Sequence, residues 1–147
     1  MGYTHYFDFK RNPADIENGD KKFKEAVDLF KEKLAKLPPV KLCGGRGTGE
    51  PVMTDKLLCF NGDADKEEEY ETMRISYENE DAGFNFCKTA RRPYDAAVCL
   101  ALLCFKEVFG DDFTYASDGY SPQSQCVIDG EEELEEGWKP AFDAMQD

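Results

Sequence analysis

The sequence has little of what most enzyme active sites and metal centres are built from. It contains one histidine, His5, and neither an H-x-T/S pair nor a G-x-S-x-G turn. Its six cysteines, at positions 43, 59, 87, 99, 104 and 126, form no C-x-x-C pair. This cysteine pattern is typical of buried free thiols in a reducing compartment, not of disulfides or a zinc site. We therefore expect no metal and no cofactor, and these absences count against an enzyme.

Long apolar runs are absent as well. The longest, from Tyr94 to Phe109, has sixteen residues and is interrupted by Lys106 and Glu107, whereas a membrane-spanning helix needs roughly 20. The N-terminus has no charged segment followed by an apolar one, so we expect no signal peptide. These features predict a cytoplasmic protein that does not contact a membrane.

Basic residues are few, 18 against 31 acidic ones, and the net charge is −13. The excess is local, because residues 63–72 and 129–136 carry six acids each and the remainder has 19 acids and 17 bases. Such runs are typical of solvated loops or helix faces. The alternative is that spaced carboxylates imitate the phosphates of DNA, which would make the chain an acidic DNA mimic or a protein-interaction inhibitor.

Alternating and helical hydrophobic patterns predict an α+β fold. Strands are predicted at 2–9, 40–43, 56–60, 72–77, 84–88 and 112–117, and helices at 20–37, 94–109 and 131–145. The order β-α-β-β-β-β-α-β-α favours a single domain over residues 1–147, with a mostly antiparallel sheet and packed helices. Residues 63–72 are then an acidic loop, and the last helix is an acidic C-terminal helix.

A short basic turn precedes the most apolar helix. Its polar residues are Lys88, Thr89, Arg91 and Arg92. Pro93 suits the first helical position, and Gly110 suits the helix end. A helix N-terminus offers unpaired N–H groups and the positive end of the helix dipole, and it binds phosphate or carboxylate readily. Because cations are unfavourable there, we expect a negative group nearby. That group is either an external ligand or an internal acid such as Asp95.

A glycine-rich segment at 44–51 is the second candidate contact. Its four glycines allow close backbone approach and a nest of N–H groups, although it matches neither common nucleotide motif. Besides the basic turn, the predicted ligand-binding residues are Gly45, Arg46, Gly47, His5, Tyr3 and Tyr94. His5 lies on an aromatic strand face, where it is either a packed core residue or, in an enzyme, an acid or base.

Four segments carry a resemblance to a known family. They are GYTHY at the start, GGRGTGEP, the FNG turn and above all FNFCKTARRPYDAAV at 84–98. They resemble an uncharacterised family of small phage and bacterial proteins over most of residues 2–118. The resemblance implies an intracellular, phage-type protein and supplies no catalytic residues. Because small phage proteins often oppose host defences, it also implies an anti-defence role in the host cytoplasm.

The residues and the resemblance together favour a non-enzymatic binding protein for a small phosphate-bearing ligand. The concrete case is a phage protein that sequesters a nucleotide immune signal. One alternative is a phosphodiesterase or nucleotide hydrolase that uses His5, and another is the acidic mimic described above. The expected partner is a phosphorylated small molecule, a nucleotide in particular. Nucleic acid is not favoured as a partner, and self-association is left open.

Overall fold

The computed structural model describes residues 4–78, 85–90, 92–117 and 138–146. The strands are β1 (Thr4–Phe9), β2 (Val52–Met53), β3 (Leu57–Phe60), β4 (Met73–Ser76), β5 (Asn85–Lys88) and β6 (Phe113–Ser117). The helices are α1 (Gly19–Leu34), α2 (Asp95–Phe109) and α3 (Trp138–Met145). The α+β class and the predicted order of strands and helices are confirmed. No helix in these ranges combines the length and the apolar content needed to cross a bilayer.

The strands form two three-stranded antiparallel sheets instead of one. In the first sheet β1 lies between β5 and β6, and in the second β3 lies between β2 and β4. The predicted strand at 40–43 is wrong, since it is reduced to a single bridge between Cys43 and Asn61. The glycine-rich segment turns the chain immediately after Cys43. The two-residue strand β2 therefore pairs with β3 in place of the predicted strand, with Val52 opposite Cys59.

The register of the first sheet brings distant polar residues to one face. His5 on β1 lies opposite Cys87 on β5 and Ser117 on β6. Directly opposed residues project to the same side of a sheet, so these three face the interior. The apolar pattern at 84–88 predicts a buried strand, but β5 is an edge strand on which Phe86 is 54% exposed.

Helix α2 is the buried centre of the fold. Eleven of its residues are buried, and it packs against α1, α3 and β6. It begins at Asp95, one residue later than predicted, and Gly110 ends it at φ 59°. Glycine adopts a positive φ without the steric cost of a Cβ atom. Its N–H donates to the carbonyl of Lys106, which confirms the expected helix end.

The other two helices cover the sides of α2. The apolar stripe of α1 consists of buried Phe23, Ala26, Val27 and Phe30. Helix α3 falls within the predicted C-terminal helix, of which residues 131–137 lie outside the described residues. Its first residue, Trp138, is fully buried and closes the interior beside His5.

Candidate functional site

Five polar side chains meet between the first sheet and α2. We call His5, Thr89, Asp95, Cys99 and Ser117 the His5 cluster. His5 Nδ1 lies 2.5 Å from Ser117 Oγ, and His5 Nε2 lies 2.6 Å from Asp95 Oδ1. Both ring nitrogens therefore have a hydrogen-bond partner inside the protein.

The local structure explains how each side chain reaches this point. His5 is on the central strand of its sheet, and Ser117 is its direct neighbour on β6. Asp95 is the first residue of α2, where a carboxylate is stabilised by the positive end of the helix dipole. Cys99 follows four residues later and therefore lies on the same helix face as Asp95. Thr89 comes directly after β5.

The hydrogen bonds fix which ring nitrogen of His5 carries the proton. An ionised carboxylate can only accept, and Asp95 Oδ1 accepts from Thr89 Oγ1 at 2.5 Å as well as from His5 Nε2. His5 Nδ1 then accepts the hydroxyl proton of Ser117. The resulting order of hydroxyl, imidazole and carboxylate is that of an activated serine nucleophile. The two ring nitrogens are exchanged relative to the usual arrangement.

Cys99 approaches the same two partners from the helix side. Its Sγ lies 3.9 Å from His5 Nε2 and donates to Asp95 Oδ2 at 3.8 Å. Burial, together with the nearby Asp95 carboxylate, raises the pKa of the Cys99 thiol well above its usual value. The thiol is therefore protonated and acts as a weak donor.

The His5 cluster is enclosed, with its least covered point at Ser117. His5 and Thr89 are 0% exposed, Asp95 is 4% exposed and Ser117 is 9% exposed. The ring of Trp138 meets His5 edge to face, with 5.7 Å between ring centroids. In such a low-dielectric place hydrogen bonds and charges interact more strongly than in water. Among the described members of the cluster, Ser117 has the largest exposed fraction, although it too is buried.

The basic turn lies against the His5 cluster through Thr89. Ala90 has φ 52°, a left-handed conformation that costs free energy for a residue with a Cβ atom. The turn points Thr89 inward to Asp95. Arg92 is exposed and lies over the ring of Tyr70, with its guanidinium 5.8 Å from the ring centroid. Two predicted contacts, Arg91 and Tyr3, lie outside the described residues.

Three N–H groups at the N-terminus of α2 already donate to carbonyls of the chain itself. The N–H of Asp95 donates to the carbonyl of Arg92, and those of Ala97 and Val98 both donate to that of Tyr94. The negative group at this helix end is the carboxylate of Asp95. Within the described residues its partners are His5, Thr89 and Cys99.

Lys88 and Tyr94 are tied to the acidic run at 63–72. The N–H of Lys88 donates to Glu71 Oε1 at 2.7 Å, and the hydroxyl of Tyr94 donates to the carbonyl of Glu71 at 2.5 Å. Lys88 is half-buried, whereas Tyr94 is fully buried, which leaves its ring no exposed face on which a base could stack.

The glycine-rich segment is fixed to the other side of the same acidic run. The carbonyl of Gly45 accepts from the side chains of Asn61 and Thr72. The carbonyl of Gly47 accepts from the N–H of Ala64, and Arg46 is exposed. Residues 63–72 thus lie between the glycine-rich segment and the basic turn. Beside Arg92 they form a cleft of about 620 Å³ lined by Glu67, Glu69, Tyr70, Glu71 and Arg92.

The sequence predicted some residues of this site but not the contacts of His5 at its centre. It selected His5, Thr89 and the cations beside them. Cys99 and Ser117 were not singled out, and Asp95 was considered only as an ion-pair partner of the arginines. His5 is separated from Asp95 by 90 positions and from Ser117 by 112, so no spacing motif could join them. The one sequence feature that could have indicated the site is the spacing of Asp95 and Cys99, four residues apart at the start of an apolar helix.

The chain matches no known family model, curated protein or solved structure.

Proposed function

We propose that this protein is a hydrolase of small anionic esters, in which His5 activates the hydroxyl of Ser117. The observation that supports it is a continuous chain of hydrogen bonds through His5. Its Nδ1 lies 2.5 Å from Ser117 Oγ, and its Nε2 lies 2.6 Å from Asp95 Oδ1. This proposal develops the hydrolase alternative of the sequence, because His5 now has both an orienting acid and a hydroxyl to deprotonate.

The roles of the residues follow from these contacts. Ser117 Oγ attacks the acyl or phosphoryl centre while its proton passes to His5 Nδ1. Asp95 holds the ring and stabilises the imidazolium that forms, and Thr89 in turn holds Asp95. His5 then gives the proton to the departing oxygen. In the second half-reaction His5 takes a proton from water while the water oxygen attacks the acyl or phosphoryl group. The bond from that group to Ser117 Oγ then breaks, and His5 returns the proton to the serine.

The surrounding charges support a substrate with one compact anionic group. Arg92 is exposed on the turn that carries Thr89 and can donate charge-assisted hydrogen bonds to phosphate or carboxylate. Glu67, Glu69 and Glu71 line the cleft beside Arg92 and repel an extended polyanion. A phosphomonoester, phosphodiester or carboxylate-bearing ester fits this balance better than nucleic acid does.

Covalent labelling tests whether Ser117 is reachable and activated. A fluorophosphonate should form one adduct, in which a bond from Ser117 Oγ to phosphorus replaces the bond to fluoride. Ser117→Ala should abolish it, whereas the matched control Ser76→Ala, which changes a half-buried serine on β4, should label like the parent. Peptide mapping locates the adduct. Labelling that persists in Ser117→Ala, or none in the parent, contradicts the proposal.

Turnover provides the second measurement. Nitrophenyl phosphates, phosphodiesters and carboxylic esters, together with a nucleotide panel, should reveal at least one class that is hydrolysed. Ser117→Ala should lower kcat by on the order of 10⁶-fold, the loss found when the nucleophile of a serine protease is removed. The circular-dichroism spectrum of the variant should match that of the parent, which excludes misfolding as the cause.

The second candidate function is binding without turnover. In this case the protein would sequester a nucleotide immune signal, as predicted from the sequence. This candidate is favoured by the complete burial of His5 and by the strained turn that carries Lys88 and Arg92. In calorimetry, Arg92→Ala should then weaken nucleotide binding roughly tenfold to a hundredfold. Ser117→Ala and the exposed control Arg74→Ala should bind like the parent. A nucleotide recovered unchanged would support this candidate over hydrolysis.

A further inference from the structure

We infer that His5, Asp95 and Cys99 also form a binding site for one zinc-like divalent metal ion. They offer a nitrogen, an oxygen and a sulfur atom, all within 4.8 Å of one another. The sequence predicted no metal site because it has no ligand-spacing motif. Here the fold assembles the ligands from β1 and one face of α2. The inference does not depend on the proposed hydrolysis.

The distances between the ligand atoms are close to those around a tetrahedral ion. Metal–ligand bonds of roughly 2.0–2.3 Å imply separations between ligand atoms of about 3.3–3.6 Å. Cys99 Sγ lies 3.9 Å from His5 Nε2 and 3.8 Å from Asp95 Oδ2. An ion would draw the sulfur slightly inward and separate His5 Nε2 from Asp95 Oδ1, now 2.6 Å apart.

The outer contacts are those that metal ligands commonly have. A metal-bound histidine usually donates its second ring N–H to an oxygen, and a metal-bound carboxylate is itself hydrogen-bonded. His5 Nδ1 faces Ser117 Oγ, and Asp95 Oδ1 accepts from Thr89 Oγ1. These two contacts hold the imidazole ring and the carboxylate in place.

Charge balance also favours an ion. Without one, the carboxylate of Asp95 is a buried negative charge that only hydrogen bonds and the dipole of α2 offset. A divalent ion held by that carboxylate and a Cys99 thiolate makes a neutral site. The Cys99 proton leaves to solvent, while the His5 proton moves from Nε2 to Nδ1 and the ring stays neutral. Three protein ligands leave one position for water or the Thr89 hydroxyl.

Occupancy by the ion and activation of Ser117 exclude each other. With Nε2 bound to the metal, Nδ1 carries the proton and donates to Ser117, so it can no longer accept the serine proton. A bound ion should therefore block fluorophosphonate labelling of Ser117 if the hydrolase proposal holds. Metal binding has its own spectroscopic signature, so failure of one proposal is distinguishable from failure of the other.

The test uses full-length protein expressed in zinc-supplemented medium and, separately, refolded with cobalt(II). Elemental analysis should find about one zinc ion per chain, bound through the mixed ligand set. The cobalt form should show a thiolate charge-transfer band. Cys99→Ala should lose both signals. Cys104→Ala, which removes another buried thiol of α2, should keep both.

A second pair of variants keeps the test decisive if Cys99→Ala folds poorly. Asp95→Asn removes a charged ligand. Thr89→Val removes only the hydrogen bond to that ligand, and it should therefore weaken metal affinity about 10–100-fold. Metal-free parent protein after both treatments overturns the inference. It is equally overturned if folded Cys99→Ala or Asp95→Asn shows the same charge-transfer band as the parent.

Discussion

At the scale of single residues, Tyr94 connects three segments of the chain. Its ring is fully buried, and its hydroxyl donates to the carbonyl of Glu71. The carboxylate of Glu71 accepts from the N–H of Lys88 at 2.7 Å. Burial raises the pKa of the Tyr94 hydroxyl, so it remains a donor throughout the physiological range. Tyr94 therefore fixes the acidic run against the basic turn.

Tyr94→Phe should lower the free energy of unfolding by about 0.5–1.5 kcal/mol, because the carbonyl of Glu71 loses its hydroxyl donor and keeps only the weaker Cys87 thiol. Tyr70→Phe is the matched control. Its ring is 44% exposed, and removal of a surface hydroxyl should change stability by less than about 0.5 kcal/mol. Urea denaturation of both variants measures the difference. Equal losses would mean that the Tyr94 hydroxyl does not stabilise the fold.

His5 shows how far a single residue can be interpreted from sequence. Alternation along residues 2–9 places it on the same strand face as Phe7 and Phe9, and the structure buries all three. Whether a buried histidine is structural or reactive depends on what touches it. Asp95 and Ser117 are supplied by α2 and β6, far along the chain, so the site at His5 could not be predicted from local pattern.

At the scale of elements, long periodic segments were predicted well and short ones were not. The apolar run that became α2 and the stripe that became α1 each carry several turns of consistent spacing. The strand of two residues at Val52–Met53 has no period to detect, and its position follows from pairing with β3. The separation into two sheets likewise depends on which strands pair, and that is set by tertiary packing.

Helix α2 should be the most sensitive element to loss of side-chain volume. Leu102 is 0% exposed, and Leu102→Ala should destabilise the protein by roughly 2–5 kcal/mol, because a cavity remains where the side chain was. Leu29→Ala on α1 is the control, since Leu29 is only partly buried against the same core. Its loss should be clearly smaller in chemical denaturation. A change below about 1 kcal/mol for Leu102→Ala would place α2 outside the stabilising core.

At the scale of the whole molecule, the pKa values of the buried cysteines reflect the exclusion of water from the interior. The five cysteines in the described part of the chain are free thiols, and four of them are buried. Cys126 lies outside the described residues. Burial raises the pKa of Cys87 and of Cys104 to about 12. In the unfolded chain the pKa of these thiols is about 8.5, so burial opposes formation of their thiolates.

This difference predicts a loss of stability in mild alkali. The unfolded chain releases its thiol protons first as the pH rises, so the stabilisation is complete below about pH 8.5 and declines above it. Between pH 8 and 9.5, Cys104 alone should lower the free energy of unfolding by about 1 kcal/mol. Cys104→Ala should therefore show a weaker pH dependence than the parent in urea unfolding under reducing conditions. Met145→Leu, which alters the side chain in contact with Cys104 Sγ but removes no proton, should keep the parental dependence. Equal pH dependence in the parent and Cys104→Ala would show that water reaches the interior between α2 and α3.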